Sequence, residues 1–131
     1  MNVNHFLQTH PQNLTNIEGL TACIKSCYAC SEACTLCADA CLAEEEVARL
    51  RRCIRTCLDC AAICEVTGQV VARQTEVNPK LLRAQLEACA TACNICAMEC
   101  ESHAEHHEHC QLCAKSCRAC EKACQELLTT L

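Results

Sequence analysis

Nineteen of the 131 residues are cysteine, and four of the six histidines fall between positions 103 and 109. A thiolate is a nucleophile, a disulfide former and a soft metal ligand, while imidazole carries protons and binds metals of intermediate softness. The run CIKSCYACSEACTLCADAC, from Cys23 to Cys41, holds six of the cysteines by itself. The chemistries open to such a run are a disulfide framework, zinc or iron–sulfur ligation, thiol redox work, plain packing, or the binding of many soft cations.

Spacing separates them. Cys23, Cys27, Cys30, Cys34, Cys37 and Cys41 follow one another by alternating steps of four and three, as do Cys53, Cys57, Cys60 and Cys64, and Cys89, Cys93, Cys96 and Cys100. Cys110, Cys113, Cys117, Cys120 and Cys124 alternate three and four. A mean step of about 3.5 residues is the seam of a bundled helix. Each ladder therefore lines one face of one helix, and there are four ladders.

That pattern fits a disulfide framework poorly. The count is odd, the chain has two glycines, and the N-terminal MNVNHFLQTHPQNLTN has none of the parts of a secretory signal. The expected location is the cytoplasm, where thiols stay reduced. Structural zinc takes paired ligands from knuckles and loops, and each Zn²⁺ on four thiolates leaves a net charge of about −2. Several such sites in one low-dielectric core would repel strongly. Iron–sulfur clusters need loop geometry that four continuous helices do not offer. Packing alone would use Ala or Val and avoid the oxidation hazard. A thiol redox protein needs an exposed cysteine of low pKa beside a resolving partner, whereas seam positions point inward. Cu(I) is soft, prefers thiolate and accepts low coordination. One Cu⁺ per bridging thiolate makes a neutral unit, so a filled core buries little net charge. The expected role is storage or buffering of many Cu(I) ions without catalytic turnover. A thiol redox protein and a copper donor to an enzyme are the alternatives.

The elements that must hold these ladders follow from the rest of the chain. Ala, Glu, Lys, Arg and Leu favour helix, and strand formers are scarce: no Trp, one Phe and one Tyr. The fold expected is all-α, an antiparallel up-down-up-down four-helix bundle with a cysteine-lined core. Residues 15–131 would form it, with residues 1–14 a short arm or helix packed outside. Thr15 or Asn16 can cap the first ladder helix, with Glu18 in its first turn. Asn78 followed by Pro79 marks another helix start. The stretch LAEEEVARLRR holds a turn whose acids suit the next helix N-terminus. Gly68 is expected to cost stability late in its helix.

Extending the seams past the last cysteines distinguishes the two ends. Leu20, Val71, Leu82, Leu86, Leu127 and Leu131 should meet as an apolar plug. Glu44, Leu50 and ESHAEHHEHC should meet at the opposite end, with His103 in seam phase from both sides. His106 and His107 are placed there too, with a solvated role open to them. Met98, off the seam, reads as packing, as do Ile24, Tyr28, Ile54 and Leu58, some of which could serve an oligomer interface. The formal charge of −5 comes with no basic stripe or aromatic platform for nucleic acid. No apolar run of about 18 residues suggests a membrane span.

The ladders, together with CESHAEHHEHCQLCAKSCRACEKAC from Cys100 to Cys124 and its C-x-x-H-x-x-x-x-x-H-C spacing, resemble the cytosolic class of bacterial copper storage proteins. The resemblance covers residues 17–131. It implies a bundle holding many Cu(I) ions, loaded at the histidine end and assembled as a homotetramer. It also implies that all nineteen seam cysteines are Cu(I) ligands, with His103 and His109 as ligands at the mouth.

Overall fold

A computed structural model describes all 131 residues. Five helices run in order: α1 (Val3–Gln8), α2 (Ile17–Leu42), α3 (Arg51–Ala72), α4 (Pro79–Glu101) and α5 (Glu108–Leu128). A 3₁₀ turn, Val47–Leu50, leads into α3. No helix is long and apolar enough to cross a membrane.

The four long helices each carry one cysteine ladder and alternate in direction. Helix α2 lies beside α3 and α5, and α4 beside the same two, so the bundle is a square whose diagonals are not packed backbone to backbone. Thiols fill that gap: Cys34 of α2 meets Cys96 of α4 at 3.9 Å, and Cys57 of α3 meets Cys113 of α5 at 3.9 Å. The mean step of 3.5 residues keeps each ladder on the bundle axis for its whole length.

Local chemistry sets the boundaries. Asn16 caps α2 in the left-handed region, φ 55°, with its side chain accepting from the Gly19 N–H at 3.2 Å. A Cβ on Gly19 would sit 2.5 Å from that side-chain amide, so a larger residue there would push the cap aside. Asn78 caps α4 by accepting from the N–H groups of Lys80 and Leu81, with Pro79 at the first helical position. The acids Glu44–Glu46, expected from sequence to head α3, do not. They lie in the turn before it, and α3 begins at Arg51.

Gly68 also differs from expectation. A Cβ there would lie 3.0 Å from the Tyr28 ring, so its absence lets α2 and α3 close over one another. The ordinary cost of a helix-interior glycine is set against this contact. Beside it the fully buried Thr67 donates to the Ile63 carbonyl at 2.7 Å and accepts from Gln85 at 2.8 Å, tying α3 to α4.

Helix α1 packs on the bundle through buried Leu7. The same end is tied by His10 to Thr75 at 3.4 Å and by Asn16 to Thr130 at 3.3 Å. There Leu20, Val71, Leu82, Leu86 and Leu127 are buried, which is the plug the seams imply. Leu131, assigned to it from sequence, is exposed because α5 ends at Leu128 and the chain turns out to water. Met98 is exposed as well, so it packs nothing in the bundle. Ile24 is buried, whereas Tyr28 and Leu58 reach solvent.

Candidate metal centre

All nineteen cysteines are free and buried, none more than 2 % exposed. Their sulfurs touch at 3.6–4.0 Å, about twice a disulfide bond length. A metal–thiolate bond is about 2.3 Å, so sulfurs on either side of one ion sit up to about 4.6 Å apart. Sets of four already lie within 4.8 Å of one another, among them Cys27, Cys89, Cys120 and Cys124 near the plug, and Cys37, Cys53, Cys57 and Cys100 near the other end. Only small shifts would separate thiols in contact from thiols sharing ions.

The sulfur path is unbroken. From Cys57 it runs to Cys113 (3.9 Å), Cys34 (3.7 Å), Cys30 (3.8 Å), Cys60 (3.9 Å), Cys64 (3.7 Å), Cys120 (3.9 Å) and Cys27 (3.8 Å). Cys23 and Cys124, 3.9 Å apart, finish it against the leucines. With Cys37 at the other end within 4.8 Å of Cys57, a cation admitted there has a new sulfur within reach at every step.

At the open end two connections face each other, 43–50 and 102–107. Glu44 Oε2 accepts from His107 Nδ1 at 2.8 Å and from His109 Nε2 at 2.9 Å, and the two rings stack 5.4 Å apart. With Nε2–H of His109 on Glu44, the lone pair of Nδ1 faces inward, 3.5 Å from Cys37 and 3.6 Å from Cys110. A carboxylate that fixes the tautomer of a ligating imidazole is a common outer-shell device. Burial alone would lower the His109 pKa, but Cys37 and Glu44 at its two nitrogens raise it. The hydrogen bond from His109 holds Glu44 below the usual carboxylate range. Burial pushes the Cys41 and Cys110 thiols well up, helped by the neighbouring Cys53 and Cys37 charges. These thiols are held as S–H and must release protons when they bind a metal.

The structure therefore brings His109 onto the sulfur column. His103, though in seam phase, places Nε2 on Glu99 at 2.9 Å, and Glu99 is held in turn by Arg52 at 3.2 Å. His107 is largely buried in the Glu44 clamp, and His106 is exposed. Sequence reasoning put Glu44 at this end without giving it a role. The signal was its place three residues after Cys41, continuing the ladder rhythm, but its partner His109 lies 65 residues away.

The copper storage protein family, Csp, matches residues 16–129. The structure of the copper storage protein Ccsp from Streptomyces lividans loaded with 10 copper equivalents is similar to this chain at 50% identity, with a TM-score of 0.96, covering 98% of this chain and 99% of that one. A second structure of the cytosolic copper storage protein from the same organism, with five coppers, is 53% identical with a TM-score of 0.86, covering 87% of this chain and 95% of that one. No curated protein sequence matches the chain.

Proposed function

Because the chain belongs to the copper storage protein family, we propose that it stores many Cu(I) ions in the cytosol, as thiolates along its bundle axis. The observation that carries this reading is the continuous column of nineteen buried thiols ending at an imidazole. All nineteen cysteines serve as ligands, and His109 receives ions at the mouth with Cys37 and Cys110. His103 is a second mouth ligand, one that must leave Glu99 to act. Residues 15–131 are the storage unit and residues 1–14 an arm across its closed end.

The electrostatics favour this cargo. Each Cu⁺ displaces one thiol proton, so the charge of the core stays near zero as it fills. A divalent ion held by four thiolates would instead leave a net charge of about −2. Thiol redox work is disfavoured, because it needs a solvent-reached nucleophile and none of the thiols is exposed. The role asks for no catalytic turnover. A homotetramer is the assembly we assign, covering exposed apolar side chains such as Leu58, Val66 and Ile95.

Anaerobic titration of the reduced protein with Cu(I) against a competing chelator tests the reading. Uptake comparable to the thiol count is expected, and saturation at one or a few ions would sink it. Sedimentation of the loaded protein tests the tetramer, which a monomer at micromolar concentration would exclude.

A further inference from the structure

Between the two connections that frame the mouth lies a cavity of about 440 Å³, lined by Glu46, Arg49, Leu50, His103, His106 and His107. It is far larger than a single ion needs and falls in the range of small-molecule sites, roughly 300–1,000 Å³. One residue of the lining does not suit a plain ion funnel. Arg49, paired with Glu46 at 3.3 Å, adds no attraction for Cu⁺, so cation attraction does not explain its presence.

The form in which Cu(I) arrives supplies an explanation. A soft monovalent ion in a thiol-rich compartment travels on thiolate sulfur rather than on water. The arriving species therefore has an organic body, and a sulfur carrier derived from an amino acid bears carboxylate and ammonium groups. Arg49 and Glu46 offer the matching pair of charges, 3.3 Å apart. Both are exposed, and such a pair is weak enough to open for a ligand. Fully buried Leu50 pins the 3₁₀ turn beneath them, and the Arg49 N–H donates to the Glu46 carbonyl at 2.9 Å.

We propose that this cavity docks the carrier that delivers Cu(I), a small thiol bearing carboxylates, with Arg49 as its carboxylate anchor. The inference rests on the storage reading and names the species that the mouth receives. In the transfer, a copper–sulfur bond to the carrier breaks as one to a mouth thiol of the protein forms. The proton leaving that thiol ends on the carrier's sulfur, which departs as a thiol. Copper remains Cu(I) throughout and no electron moves.

Stopped-flow loading of reduced, anaerobic protein tests this, read by thiolate-to-copper ultraviolet absorption. Cu(I) is supplied as its glutathione complex, as the complex of glutathione diethyl ester, and as the acetonitrile complex. The glutathione rate should saturate with carrier concentration. Arg49→Ala should raise the half-saturation about tenfold, the loss of one charge-assisted carboxylate bond, and Arg49→Lys should recover part of it. The diester complex should behave with the unaltered protein as glutathione does with Arg49→Ala, a comparison that needs no variant to fold. Delivery from acetonitrile should not change. The proposal is overturned if Arg49→Ala leaves the glutathione half-saturation unaltered, if it slows the acetonitrile arm equally, or if the diester matches glutathione. Final uptake from acetonitrile separates the two levels: a full column with indistinguishable carriers removes only the docking site, whereas a few ions at saturation remove the storage reading itself.

Discussion

Where α2 begins, Leu20, Val71, Leu82, Leu86 and Leu127 close the sulfur column with side chains at most 5 % exposed. Where α2 ends, the same column meets Glu44, His107 and His109, held by hydrogen bonds at 2.8–2.9 Å and partly open to water. The helices and the ladder rhythm are alike at both ends, so the difference comes from a few residues in seam phase beyond the last cysteines. Apolar closure is stable and permanent. Closure by imidazole and carboxylate can be exchanged, because a metal or a proton can replace each contact. One end holds the bundle together and the other is the proposed entrance for cargo.

The largest expected effect breaks the plug. Leu86→Ala removes a fully buried side chain and should cost about 2–5 kcal/mol, measured by urea unfolding of the metal-free protein. Loading from the histidine end should be unchanged at a temperature where the variant is folded. If its loading falls in step with its stability, the two ends are not independent.

Next comes the mouth. Replacing His103 and His109 together by Ala should slow loading about tenfold, equivalent to about 1.4 kcal/mol of barrier, with little change in the urea midpoint. Equal loading rates in stopped-flow would erase the functional distinction between the ends.

Glu44→Gln sharpens the contrast further. One of the two groups that raise the His109 pKa would be gone, so that pKa should move toward its ordinary 6.5. Titration of the ring by NMR reads this directly, and an unmoved pKa would show that Glu44 does not raise it.

The smallest effect lies just outside the mouth, where Arg118 donates to Glu101 at 2.9 and 3.0 Å and joins α5 to α4. The hydrogen bond from Arg118 holds the Glu101 pKa below its ordinary 4.5. The clasp therefore contributes fully above that value and is lost as pH falls through the lower folded one. Being exposed, it should move the urea midpoint only slightly between about pH 6 and about pH 3. Arg118→Gln should abolish that increment, and an identical acid loss in the variant would assign it elsewhere.

The ladders were readable because helix periodicity is local: a step of four and three fixes the face of a cysteine without knowledge of its neighbours. The caps at Asn16 and Asn78 were readable for the same reason. Tertiary contacts overruled local propensity elsewhere. Gly68, a liability by propensity alone, sits against the Tyr28 ring, and Met98, whose place off the seam suggests packing, lies on a face of α4 open to solvent. His103 satisfied the seam count from both sides, yet a carboxylate one helical turn away captured its ring.

By itself the sequence determined the four helices, the inward direction of the thiols and the identity of the two ends, since each depends on residue type and spacing along one strand of chain. Only the tertiary structure decided which sulfurs meet across the axis, that Glu44 rather than solvent holds His107 and His109, and that two connections enclose a cavity beside Arg49. Those outcomes depend on the relative depth and rotation of helices far apart in sequence, and no local pattern encodes them.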